Sequence, residues 1–192
     1  MELRLAPRLI ELRDEFDYWW QRRGEWVEQA NQRRGGHSGV QRLLAADKDL
    51  PALYCKRQTG HIFRSLRYPF GRPTIWREMQ AYQAFARLGI ATPRLLYGAI
   101  RQSQGQWQAL LVTEELTGFV DLEQWYRQSP DKAQRSRLLS ALARMLSKLH
   151  QAGWRHGCLY DKHLFINQNE QVAVLDLEKA AARYLPVIAS KI

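Results

Sequence analysis

A histidine, a cysteine and an acid fall within six residues of one another in Trp154-Arg155-His156-Gly157-Cys158-Leu159-Tyr160-Asp161-Lys162-His163. A second acid, Asp176, follows in Val174-Leu175-Asp176-Leu177-Glu178. Far upstream, Lys56 ends the apolar run Ala52-Leu53-Tyr54-Cys55, and Glu78 comes 22 positions after it. Carboxylate oxygen suits a hard divalent cation that also binds phosphate. A lysine for phosphate charge, an acid to orient it and an acid for a metal are what phosphoryl transfer asks of a protein, because that chemistry is mostly positioning and charge neutralisation.

The spacing can be set against the protein-kinase pattern, H-R-D-L-x-x-x-N followed by D-F-G. His156 then takes the His, Cys158 the catalytic Asp, Leu159 the Leu, His163 the Asn and Asp176 the D-F-G Asp. Lys56 is expected to contact nucleotide phosphates and Glu78 to orient it. Asp176 is expected to bind Mg2+, with Glu178 adding a carboxylate. Imidazole is a poor partner for Mg2+, so His163 is expected either to donate to a phosphate or to orient Asp176. Cys158 replaces the base poorly, since an unperturbed thiol is mostly protonated at neutral pH. Asp161, the acid inside the loop, is the substitute candidate. A general base contributes about 10²- to 10⁴-fold, so its loss slows transfer without forbidding it. A rival grouping of His156, Cys158 and His163 around a metal matches no common zinc spacing and lacks an evident fourth ligand.

Ahead of Lys56 stands Gly35-Gly36-His37-Ser38-Gly39. Glycines let backbone N–H groups approach phosphate oxygens, and Gly36, Ser38 and Gly39 are the candidate nucleotide contacts. The run does not match G-x-G-x-x-G, and by itself it reads more readily as a hairpin turn than as a phosphate cradle.

These residues need elements to hold them. Leu9, Leu12, Phe16 and Trp19 or Trp20 recur at helical spacing and predict a first helix. Strands are expected at Glu25–Glu28, Val40–Leu44 and Ala52–Arg57, with a polar turn over 31–39 and another at Asp47–Asp49. A helix from Ile75 to Leu88 presents Ile75, Met79, Tyr82, Phe85 and Leu88 to the core, with Glu78 at the margin of that stripe. Strands from Pro93 to Arg101 and Trp107 to Glu115 flank a Ser103–Gln106 turn. Asp121 with Gln124 resembles a capping box. A long helix, Lys132 to Gln151, carries Leu138, Leu139, Leu142, Met145, Leu146 and Leu149 on one side and ends at Gly153. Between Lys56 and Glu78, the interleaved arginines and aromatics of residues 61–73 suit single-stranded nucleic acid, an anionic glycan or plain packing against the sheet. Packing is the expectation.

The chain has 192 residues, 45% of them hydrophobic, with seven Trp, which argues for a packed protein rather than a disordered one. No apolar run approaches a membrane span, and the N-terminus lacks a signal-like apolar region. Two cysteines, Cys55 and Cys158, are too few for a disulfide framework and point to the cytosol. A formal charge of +10 favours anionic partners without naming one.

Several longer runs narrow the choice. Phe16-Asp17-Tyr18-Trp19-Trp20, Gly24-Glu25-Trp26-Val27-Glu28, Ser38-Gly39-Val40-Gln41, Arg67-Tyr68-Pro69-Phe70-Gly71-Arg72-Pro73-Thr74-Ile75, Ala109-Leu110-Leu111-Val112-Thr113-Glu114, His156-Gly157-Cys158 and Leu175-Asp176-Leu177-Glu178-Lys179 together resemble the lipopolysaccharide kinase (Kdo/WaaP) family. The resemblance implies a protein-kinase-like α+β fold, with a β-rich N-lobe (residues 1–115 with the N-terminal helix) and a reduced or truncated α-rich C-lobe (116–192) in a single domain. It implies ATP and Mg2+ as cofactors and phosphorylation of a sugar hydroxyl, in the best-known members a heptose of the lipopolysaccharide core. Lys56, Glu78, His163 and Asp176 match the family's site by position. Heptose-phosphorylating members keep Asp where this chain has Cys158, and the usual basic helical continuation after Lys179 is replaced by Ala180-Ala181-Ala182-Arg183-Tyr184. The expected partners are a nucleotide and an anionic glycolipid or sugar acceptor at the inner face of the cytoplasmic membrane; nucleic acid is not expected. The alternative is a non-catalytic kinase-like protein that binds nucleotide or a partner in an acid or envelope stress response.

Overall fold

Short apolar runs cut by turn residues fold as strands, and longer periodic runs fold as helices. The computed structural model describes residues 12–27, 31–33, 36–43 and 50–182. In chain order the elements are α1 (Leu12–Gln21), β1 (Glu25–Trp26), β2 (Asn31–Arg33), β3 (Gly36–Leu43), β4 (Leu53–Thr59), β5 (Ile62–Ser65), β6 (Tyr68–Pro73) and α2 (Thr74–Arg87). They continue with β7 (Leu95–Ser103), β8 (Gln106–Glu114), β9 (Phe119–Asp121), α3 (Leu122–Arg127), α4 (Lys132–Gln151), β10 (Trp154–Arg155), β11 (Leu164–Asn167), β12 (Val172–Val174) and β13 (Ala181–Ala182). This is a mixed α+β chain whose strand pairs are antiparallel. It divides into two compact units, one of residues up to Pro73 with Leu96–Thr113, the other of Thr74–Leu95 with residues from Glu114 on.

The first unit is a sheet in the order β1-β3-β4-β8-β7, with β2 also paired to β3. Side chains alternate across a strand, so the β3–β4 register, with Val40 opposite Lys56 and Gly39 opposite Arg57, sorts the residues by face. Leu43 and Cys55 point with Gly39 and Arg57 toward α1, where they form a core with Phe16, Leu110 and Val112. Burial pushes the Cys55 thiol up to about 11, which makes it an inert core group. Arg57 ties α1 to this face, its guanidinium donating to Gln41 Oε1 at 2.7 Å and to the Trp19 carbonyl at 3.0 Å. Ser38, Val40, Lys56 and Gln58 occupy the other face. Gln104 (φ 49°) and Gly105 (φ 74°) make the tight turn that joins β7 to β8.

Two expectations for this unit change. The turn over 31–39 is instead a hairpin of β2 and β3, with Asn31 opposite Ser38 and Arg33 opposite Gly36. Gly36 is strand rather than loop: a Cβ there would lie 2.4 Å from the backbone of Thr59, Gly60 and His61, so close approach of two backbones requires the glycine. Strand β1 ends at Trp26. Residues 61–73 pack at their base, as expected, with His61, Gly71 and Pro73 buried and Arg72 over the Trp107 ring of β8 at 6.0 Å. They form a separate two-stranded sheet, β5 with β6, whose tip leaves Leu66 (105%) and Phe70 (91%) exposed. Leu9, Glu28 and the turn at Asp47–Asp49 lie outside the described residues.

In the second unit α4 begins at a full capping box, Asp131 accepting from the Gln134 N–H while the Gln134 side chain accepts from Asp131. Asp121 caps α3 in the same sense, accepting from the Gln124 N–H at 2.7 Å. Leu138 packs with Trp125 and Ile166, but Leu139 is exposed, because a step of one residue turns a helical side chain about 100° away from the core face. On α2 the buried stripe is Ile75, Glu78, Ala81, Tyr82 and Phe85. Glu78 therefore lies inside the stripe, not at its margin. Strands β12, β11 and β9 form a small sheet, and because Leu164 pairs with Val174 the loop of residues 156–163 enters it and Asp176 leaves it at the same end.

Candidate functional site

Asp176 leaves β12 with φ 57° and ψ 66° and precedes a 3-10 turn, Leu177–Lys179, that packs on α2. This left-handed conformation costs most L-residues energy and is tolerated best by Gly, Asn and Asp. What imposes it is the residue before. The Leu175 N–H donates to the His163 carbonyl at 3.0 Å, and His156 Nε2 donates to the Leu175 carbonyl at 2.9 Å. With the peptides on both sides of Leu175 held, the direction in which Asp176 departs is set by the backbone.

His156 is buried. Its ring packs beside Phe85 at 6.4 Å between centroids, and Phe85 meets Trp154 edge-on at 6.0 Å. Burial holds the imidazole below its ordinary pKa, with the Leu175 carbonyl pulling the other way. The ring is thus neutral, with its proton on Nε2. Nδ1 is a buried acceptor with no hydrogen-bond partner among the described residues. Gly157, at φ 78°, passes so close to the following turn that a Cβ would lie 2.4 Å from the Lys179 carbonyl oxygen. The loop can bring Cys158 into place only with glycine at this position.

His163 closes the loop. Its Nδ1 lies 2.6 Å from the Cys158 carbonyl and donates to it, while Nε2 faces Asp176 Oδ2 at 3.6 Å. One ligand atom each from Cys158, His163 and Asp176 lie within 4.8 Å of one another. On α2, burial first and then the charges of Glu78 and Asp176 drive the Tyr82 hydroxyl well above its ordinary range. Glu78 and Asp176 thus both act on Tyr82, a residue read from the sequence as core alone. Its position one turn after Glu78 was the available signal.

The structure gathers His163, Asp176 and Cys158, with His156 behind them. It does not gather Asp161 or Glu178 into that group. Asp161 is exposed, and its Oδ1 accepts from the Lys162 N–H at 2.8 Å. Glu178 belongs to the 3-10 turn, half-buried. The rival grouping also changes, since His156 spends Nε2 on the Leu175 carbonyl and Asp176 takes its place. In the first unit Ser38 shares the face of Lys56, whereas Gly39 lies on the α1 face. As a cation site the group is mixed. Asp176 offers the oxygen that Mg2+ prefers, while thiol sulfur and imidazole nitrogen are softer donors that it does not.

These features define an α+β protein with a clamped acidic side chain between a histidine-bearing loop and a strand end. The chain belongs to the lipopolysaccharide kinase (Kdo/WaaP) family, which it matches over residues 17–190. It is 42% identical over 176 residues to protein InaA of Escherichia coli (strain K12), covering 88% of this chain and 80% of that one. It is 30% identical over 119 residues to the lipopolysaccharide core heptose(I) kinase WaaP of Pseudomonas aeruginosa, covering 56% of this chain but only 44% of the relative. In fold it is similar to WbdD, with a TM-score of 0.50 and 15% identity over 85% of this chain and 34% of the WbdD chain. Among the described residues no helix is long and apolar enough to cross a membrane.

Proposed function

We propose that the chain has a protein-kinase-like fold and is an ATP-dependent phosphotransferase that acts on a sugar hydroxyl of an envelope glycolipid such as lipopolysaccharide core. The observation that carries this is the double clamp on Leu175, which spends two hydrogen bonds and a buried histidine on aiming one carboxylate, Asp176. In phosphoryl transfer such a carboxylate holds the cation that neutralises the nucleotide's phosphate charge. Lys56, matched by position to the family's phosphate-binding lysine, shares its sheet face with Ser38 in the first unit. Cys158 stands where the base belongs and Asp161 is turned to solvent, so proton removal from the acceptor hydroxyl is weakly assisted and turnover is slow.

That same arrangement favours a second reading, in which the protein binds nucleotide or a partner without transferring phosphate, in an acid or envelope stress response. For either, the inner face of the cytoplasmic membrane suits a chain of formal charge +10. The β5–β6 hairpin supports this, since it presents Leu66 and Phe70 beside Arg67 and Arg72, which lie over the Tyr68 ring at 5.6 and 5.0 Å. Apolar tips flanked by arginine are what an anionic lipid surface takes up.

Calorimetry of Mg-ATP against the wild type, Lys56→Ala and Asp176→Asn tests the shared part. Asn keeps the left-handed backbone while removing the charge. Saturable binding lost in both variants supports the assignment, and absence of binding to the folded wild type overturns it. Transfer of labelled phosphate to lipopolysaccharide core, abolished by Asp176→Asn, separates the enzyme from the binding protein.

A further inference from the structure

We propose that Cys158, His163 and Asp176 form a binding site for a borderline-soft divalent metal ion such as Zn2+. The inference shares Asp176 with the proposed nucleotide site but does not depend on phosphate transfer, and it starts from the mismatch between this donor set and Mg2+.

Three distances carry it. His163 Nε2 and Asp176 Oδ2 are 3.6 Å apart, too far for a hydrogen bond. Two atoms that share one tetrahedral zinc ion at about 2.0–2.1 Å each stand about 3.4 Å apart, so the observed gap is the one a bridging ion fills. The donor atoms of all three residues fall within 4.8 Å of each other, and a closing movement of about 1 Å brings the set to zinc geometry. Finally, the 2.6 Å contact from His163 Nδ1 to the Cys158 carbonyl is the outer hydrogen bond that fixes the tautomer of a metal-binding imidazole and turns its bare nitrogen inward.

The chemistry of the donors selects the metal. Thiolate and imidazole favour zinc and its neighbours in the first transition row over Mg2+. Cys158 is buried and the His163 side chain is 12% exposed, while Asp176 is 38% exposed. The group therefore offers three protein ligands and one open side, the pattern of zinc sites that keep a position for water or a ligand. Binding displaces the thiol proton of Cys158 to solvent as the sulfur–metal bond forms. The two free cysteines differ in this respect, since Cys55 lies in the core of the other unit with no such neighbours among the described residues.

The test is titration of the metal-stripped, full-length chain with Co2+, a spectroscopic stand-in for Zn2+. The expected result is one equivalent bound, a near-ultraviolet thiolate-to-cobalt charge-transfer band, and intense visible bands of a four-coordinate ion. Zn2+ should bleach them and Mg2+ in excess should not. Cys158→Ser should remove the charge-transfer band, Cys55→Ser should leave it, and His163→Gln or Asp176→Asn should weaken binding at least about tenfold, the lower end of what even outer-shell losses cost. Weak bands of hydrated cobalt in the folded wild type overturn the proposal without recourse to any variant. So does a charge-transfer band that survives Cys158→Ser. Retained Mg-ATP binding alongside such a failure would leave the nucleotide assignment standing.

Discussion

The imidazole of His156 holds the carbonyl of Leu175 at 2.9 Å, 19 positions away in the chain. This bond joins the loop that carries Cys158 to the residue immediately before Asp176. Nε2–H is present in either charge state, so the bond itself survives protonation. Burial makes the charged ring costly, which ties the stability of this arrangement to pH.

The sign follows from burial. The His156 pKa is lowered from its ordinary 6.5 in the fold, chiefly by desolvation. As pH falls through 6.5 the unfolded chain gains a proton that the folded chain refuses, so stability present above 6.5 is lost on the way down to the folded value. The urea midpoint should fall between about pH 7.5 and about pH 5.5. In His156→Asn the protein should be less stable throughout, but the pH slope assignable to this ring should vanish. An unchanged difference between the two proteins across that range would remove His156 as the cause.

Gly157 and Gly118 make a matched pair. Both have positive φ, 78° and 79°. A Cβ at Gly157 meets the Lys179 carbonyl oxygen at 2.4 Å, whereas one at Gly118 meets nothing within 4 Å. Gly118→Ala should cost only the left-handed backbone penalty, about 1–2 kcal/mol. Gly157→Ala should cost that and the displacement of backbone, at least about 3 kcal/mol in total. Denaturant unfolding of the two variants checks the order.

Leu138 and Leu139 are adjacent on α4 and opposite in fate. Leu138 is buried against Trp125 and Ile166, and Leu139 is exposed. Leu138→Ala should lose about 2–5 kcal/mol, and Leu139→Ala should stay within about 0.5 kcal/mol of the wild type. Comparable losses would mean that the helix is rotated from the position described.

At the hairpin tip, the double substitution Leu66→Ser, Phe70→Ser removes exposed apolar surface and no core. The thermal midpoint should move little, while co-sedimentation with phosphatidylglycerol vesicles should drop severalfold. Neutral phosphatidylcholine vesicles should bind weakly in both forms, and added salt should weaken wild-type binding to the anionic ones. Equal binding by the double variant would mean that the hairpin is not the contact. Binding to single-stranded RNA instead of vesicles would reassign the surface.

The sequence by itself determined the elements whose signals are local. The long helix is legible from Lys132 to Gln151 because period, capping residues and a following glycine agree, and the family was legible in runs such as Pro69-Phe70-Gly71-Arg72-Pro73 and His156-Gly157-Cys158. Tertiary structure alone decided which donors meet. The strand character of Gly36 depends on the backbone of residues 59–61, and the depth of Glu78 depends on the 3-10 turn packed on α2. Asp161 lies only three positions from Cys158 yet faces solvent, while Asp176, 18 positions away, reaches it. Spacing along a chain fixes how far apart two residues can be, but hydrogen bonds such as those on Leu175 and the left-handed turn at Asp176 fix where their side chains end.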